Sequence, residues 1–118
     1  MSRYTIVAPH EMETAGDWVL VRRALGLQAF GMNIVEIPPG ERIPEHDETG
    51  RNQEEVFIAL SGDATMVIDG EEHSLPDGSF ARLDVECRRT VTNNGNEPIR
   101  VLIASAPRDS GYEPMEWA

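Results

Sequence analysis

The stretch "PPGERIPEHDETGRNQEEVFIALSG", residues 38–62, decides how the rest of the chain is read. It leaves a Pro38-Pro39-Gly40 turn, crosses a polar segment with one histidine (His46) and a cluster of acids, and enters an apolar run that stops at Ser61-Gly62. Turn, polar segment and glycine-ended apolar run together read as loop and β-strand. One imidazole among carboxylates also offers half of a metal site, so the remaining donors must be sought elsewhere in the chain.

Outward from this stretch the pattern repeats as short strands between turn residues. "GMNIVEI" (31–37) alternates and ends at the two prolines, and "EVFIAL" (55–60) is apolar at both alternating sets of positions, as expected of a strand covered on both faces. "TMVID" (65–69) and "EEHSL" (71–75) meet at Asp69-Gly70, a hairpin signal. "SFARLD" (79–84), "RRTVTN" (88–93) and "IRVLIASA" (99–106) follow, the last two separated by the turn residues Asn94 to Pro98. This rhythm predicts an all-β sandwich or barrel dominated by antiparallel hairpins. "DWVLVRRAL" (17–25) fits both a short N-terminal helix, with Trp18, Val21, Arg22 and Leu25 on one face, and a strand with Trp18, Leu20 and Arg22 alternating.

The chain has 118 residues, enough for one domain with its own core. We expect a single domain over 1–118: an N-terminal extension at 1–26, a barrel core at 27–106 and a tail at 107–118. Tyr112, Met115 and Trp117 give that tail an apolar character suited to packing on the barrel or on a second subunit. A formal charge of -11 repels phosphate backbones and anionic lipid surfaces, which argues against nucleic-acid and membrane partners. The lone Cys87 cannot close an internal disulfide, and the first residues carry neither a basic stretch nor an apolar one, so a cytoplasmic location is expected.

At this level the spacing resembles the cupin superfamily of small β-barrels. Its first motif, G-x5-H-x-H-x(3,4)-E-x6-G, is approached by Gly40, His46, Glu48 in the place of the second histidine, Glu55 and Gly62, with six residues between Glu48 and Glu55 where the pattern has three or four. Its second motif, G-x5-P-x-G-x2-H-x3-N, is approached by Gly78, Asp84, Glu86, Arg89 and Asn93, with only the first and last residues matching. The resemblance covers roughly residues 31–106 and implies a double-stranded β-helix, or jelly-roll barrel. It also implies a homodimer, and a divalent ion (Mn, Fe, Ni or Zn) held at the positions of His46, Glu48, Glu55 and Arg89.

Arginine stays protonated and has no lone pair to offer, so Arg89 cannot ligate. His46, Glu48 and Glu55 remain as a weak metal set, and no bound cofactor is expected. Arg89 in the metal's place would pair with Glu55. The lead reading is therefore a protein that binds or senses a small anionic metabolite inside the barrel, with Arg89, Arg82, Glu55 and Phe57 as candidate contacts. Phe80, Arg82 and Asp84 share one face of their strand, and the sequence leaves open whether that face points inward. The alternatives are a metal-dependent oxygenase or isomerase, an acid–base isomerase or lyase using His46 as its candidate catalytic group, and a structural or protein-binding module. His10 and His73 read as surface residues and Cys87 as a packed one. Nucleophilic triads, glycine-rich phosphate loops and paired-cysteine zinc spacings are missing from the sequence.

Overall fold

A computed structural model describes residues 3–118 and contains nine strands. They are β1 (Thr14–Ala15), β2 (Trp18–Val19), β3 (Gly31–Ile37), β4 (Gln53–Ser61), β5 (Ala64–Ile68), β6 (Glu71–Leu75), β7 (Phe80–Leu83), β8 (Arg89–Thr92) and β9 (Ile99–Pro107). One helix, α1 (Val21–Leu25), and a 3-10 turn at Pro9–Glu11 complete the regular structure. The strands form a six-stranded sheet in the order β1-β2-β3-β9-β4-β7 and a three-stranded sheet in the order β6-β5-β8, with every pairing antiparallel. Residues 41–46 run beside β8 as a further, irregular edge, bridged at Arg42–Thr92 and His46–Arg89. This is the expected all-β jelly-roll barrel.

The segment 17–25 is strand and helix in turn. Trp18 and Val19 pair with Val35 and Ile34 on β3, and α1 follows immediately. Gly26, at a φ of 71°, then ends the helix in the left-handed region that glycine enters without steric cost. Val19, Val21 and Ile34 pack into a small cluster on the outer face of the large sheet.

The pairing register sets out the barrel interior in layers. Asn33, Ile103, Phe57 and Ala81 stand side by side across β3, β9, β4 and β7, and Gly31, Ser105, Glu55 and Leu83 form the next layer towards one end. Because side chains alternate along a strand, Val35, Val101 and Ala59 fill the layer on the opposite side of Phe57. Phe57, Val91 and Val101 are fully buried, and Met66 is nearly so. The outer face of β4 is different: Val56 and Ile58 are half-buried and Leu60 is exposed. The expectation of a strand covered on both faces therefore fails within one chain, since the N-terminal segment reaches Ile34 and Leu102 but leaves the β4–β7 side open.

The matched motif residues outside the polar site hold turns. Gly62 has a φ of 90°, and a side chain there would sit 2.7 Å from Ile99 Cγ2, so conformation and space both require glycine. The Asn93 side chain donates to the carbonyls of Ile37 (2.8 Å) and Glu97 (2.7 Å) and accepts from the Gly95 N–H (2.9 Å), tying three segments together in the interior.

Candidate functional site

The polar end of the barrel is built from a loop facing a strand. Backbone bonds from His46 N–H to Arg89 O (3.0 Å) and from Arg89 N–H to His46 O (2.8 Å) fix these two residues opposite one another. Glu48 is anchored two residues later by its N–H on Val85 O (3.0 Å). Glu55 comes from β4, whose alternation turns its side chain inward above Phe57. One loop and the strand that follows it thus deliver one imidazole and two carboxylates to the same place, opposite β8.

His46 Nε2 lies 3.3 Å from Glu48 Oε1 and 3.4 Å from Glu55 Oε1, and one donor atom from each of the three residues falls within 4.8 Å of the others. His46 Nδ1 is 3.2 Å from Pro44 O. A carbonyl oxygen can only accept, so Nδ1 carries a hydrogen, and Nε2 faces the two acids, accepting in the neutral ring and donating to them in the imidazolium. Two carboxylates facing one another repel, which favours a positive charge between them, whether the proton on Nε2, a metal ion or the cationic end of a ligand.

Arg89 lies behind Glu55. It is completely buried, donates from Nη2 to Asp84 O (3.0 Å) and brings Nε to 3.6 Å from Glu55 Oε1. That single contact is longer than a hydrogen bond, and neither Nε nor Nη1 has a hydrogen-bond partner among the described residues. The Glu55 carboxyl is held above the usual carboxylate range, because burial and then the neighbouring Glu48 charge outweigh the pull of His46 and Arg89.

His46, Glu48 and Glu55 face an open cavity of about 810 Å³, within the range of small-molecule sites. Trp18, Leu27, Phe30 and Met32 supply apolar wall, and Arg22 and Arg51 stand at its edge. The site candidates from sequence divide accordingly. His46, Glu48 and Glu55 converge on the cavity. Arg89 is not among the cavity's lining residues, so it cannot serve as the fork for a ligand placed there. Phe57 belongs to the core layer beneath Glu55 and is fully enclosed. Arg82 is on the outside: the inward face of β7 is Ala81 and Leu83, and Arg82 pairs with Asp84 and with Glu54 (3.4 Å) in solvent. His10 and His73 are exposed and stand apart from the site.

Sequence reading missed Arg22 and Arg51. Arg51 lies in the lengthened loop between Glu48 and Glu55, where an arginine beside the site was the available signal. Arg22 reaches the cavity through α1, and no sequence spacing announces that.

Comparison with known proteins agrees with this geometry. The family model described as Cupin domain matches residues 33–105, well over half of the chain. The chain belongs to the cupin family. A cupin protein from Bacteroides fragilis superposes with a TM-score of 0.79 at 25% identity, covering 99% of this chain and 94% of that one. A sugar phosphate isomerase of the cupin superfamily from Silicibacter pomeroyi gives 0.67 at 22% identity, covering 75% of this cupin and 57% of the other chain. The cupin domain of an XRE family transcriptional regulator from Enterobacter cloacae gives 0.60 at 22% identity, covering 68% and 84%. Among curated proteins none matches this cupin by sequence. An isomerase and a regulator on one fold leave function to be argued from the site.

Proposed function

We propose that this cupin binds a small organic molecule at the open end of its barrel, on a metal-free polar floor made by His46, Glu48 and Glu55. The observation that carries the reading is the buried Arg89 against Glu55. In the family's metal site that corner is a histidine ligand; here it is a permanent cation without a lone pair. The residues can surround an ion, but by donor chemistry they do not fit the divalent metal of the family.

The cavity above this floor has the size and mixed lining of a ligand site. The anionic-ligand reading moves with the geometry, from Arg89 and Arg82 to the exposed Arg22 and Arg51. His46, fixed through Nδ1 and open to the cavity at Nε2, is also the group placed to move a proton if the bound molecule is turned over.

The test is a nuclear magnetic resonance screen of a small-metabolite library against the wild-type chain and Ser105→Trp. Ser105 lines the cavity between Gly31 and Glu55, so tryptophan there fills the space over the floor. We expect binders whose shifts cluster on the cavity residues and vanish in the variant. Binders unaffected by the tryptophan would show that the site lies elsewhere.

A further inference from the structure

The two ends of the cavity have opposite hydrogen-bonding character. At its floor, the Glu48 and Glu55 carboxylates converge on His46 Nε2, all three atoms within 4.8 Å of one another, while Nδ1 of the ring is turned to Pro44 O (3.2 Å). At its mouth stand the guanidiniums of Arg22 and Arg51, which can only donate. The chain holds 21 acidic side chains, and all ten of its Lys-plus-Arg residues are arginines. Five of them are paired with carboxylates: Arg23, Arg82, Arg88, Arg89 and Arg100. Neither arginine at the mouth is. Arg22 donates one bond, to its own helix exit at Leu27 O (3.3 Å), and the Arg51 guanidinium has no partner among the described residues. Arg3, Arg42 and Arg108 also lack a carboxylate partner among the described residues, but Arg22 and Arg51 stand together at one cavity, where a fork of two guanidiniums can receive an anion.

We infer that the ligand is a small organic zwitterion, an amino acid in the broad sense, bound with its primary ammonium on the floor and its carboxylate at the mouth. The proposal rests on reading the barrel end as a ligand pocket and names what that pocket takes. An ammonium carries three N–H donors, which the converging Glu48 and Glu55 oxygens can accept, and its positive charge relieves their mutual repulsion. A carboxylate presents two oxygens to guanidinium forks, the geometry in which arginine outperforms lysine. Between the two ends the carbon chain of the ligand runs along Trp18, Leu27, Phe30 and Met32, burying its methylenes.

The experiment uses ω-amino acids from β-alanine to ε-aminocaproate, with length-matched carboxylic acids, primary amines and alcohols as one-ended controls. Each is titrated while the amide shifts of the cavity residues are followed. One amino acid of the series should bind at least about tenfold more tightly than its matched acid and amine. Arg51→Ala or Arg22→Ala should then reduce that amino acid to the level of the amine, and Glu48→Gln, which keeps size and shape, to the level of the acid. If one-ended probes shift the same residues with equal affinity, the pocket stands and the zwitterion is wrong. If no probe of any kind shifts the cavity residues, the pocket reading falls with it. A divalent ion that occupies the floor and excludes the amines would likewise overturn the assignment.

Discussion

Glu55 concentrates the energetics of the site in one side chain. It stands between Glu48 and His46 on one side and Arg89 on the other, and its carboxyl is pushed above the ordinary value by burial first and Glu48 second. A group raised in the folded state holds its proton more readily folded than unfolded. Stability is therefore fullest below the unfolded pKa and declines as pH rises through the raised one. Glu55→Gln removes this contribution. Urea unfolding measured from about pH 4 to pH 8 should show a flatter dependence for the variant, with neutral-pH stability equal to or above that of the wild type. Parallel curves would mean that Arg89 and His46 hold the Glu55 charge more tightly than a single 3.6 Å contact suggests.

At the scale of elements, the pairing register decides which residues meet. It puts Phe57 in the same layer as Ile103 and Asn33 and directly under Glu55, in the core and out of reach of a ligand. Phe57→Ala should lower stability by about 3 to 5 kcal/mol, the usual result of emptying a fully buried aromatic site. A loss under about 1 kcal/mol would show that the layer is loose, and calorimetric or urea unfolding settles it. The same register explains what the sequence could reveal. The strands were legible because Pro38-Pro39-Gly40, Asp69-Gly70 and Asn94 to Pro98 punctuate them chemically, and the glycine spacing carried the cupin resemblance. The meeting of His46, Glu48 and Glu55 was legible for the same reason. The inward face of β7 was not, because Phe80, Arg82 and Asp84 alternate as regularly as Ala81 and Leu83, and only pairing with β4 turns the second set inside. Arg22 could not be foreseen, since its place at the mouth depends on how α1 folds back over β3.

Over the whole molecule, apolar surface remains where one chain ends. Val56, Ile58 and Phe80 form a stripe on the outer face of the large sheet, exposed or half-buried. The tail does not pack onto the barrel as a unit: Tyr112, Met115 and Trp117 are 78%, 64% and 83% exposed. Tyr112 borders a groove of about 620 Å³ with Phe30, Val56 and Ala104 on the same face. We propose a homodimer of C2 symmetry that covers this stripe and the tail. Light scattering at micromolar concentration should give twice the 13.1 kDa chain mass, and a monomer mass would refute it. No described helix is long and apolar enough to cross a membrane. We propose that Arg89, a cation built into the protein, stands where the family has a metal ligand and leaves His46, Glu48 and Glu55 as the floor for an organic ligand. Elemental analysis of the purified chain by inductively coupled plasma mass spectrometry should then find Mn, Fe, Ni and Zn each far below one per chain, even after incubation with the ions and desalting. One tightly held metal per chain would contradict it and make His46, Glu48 and Glu55 a metal centre.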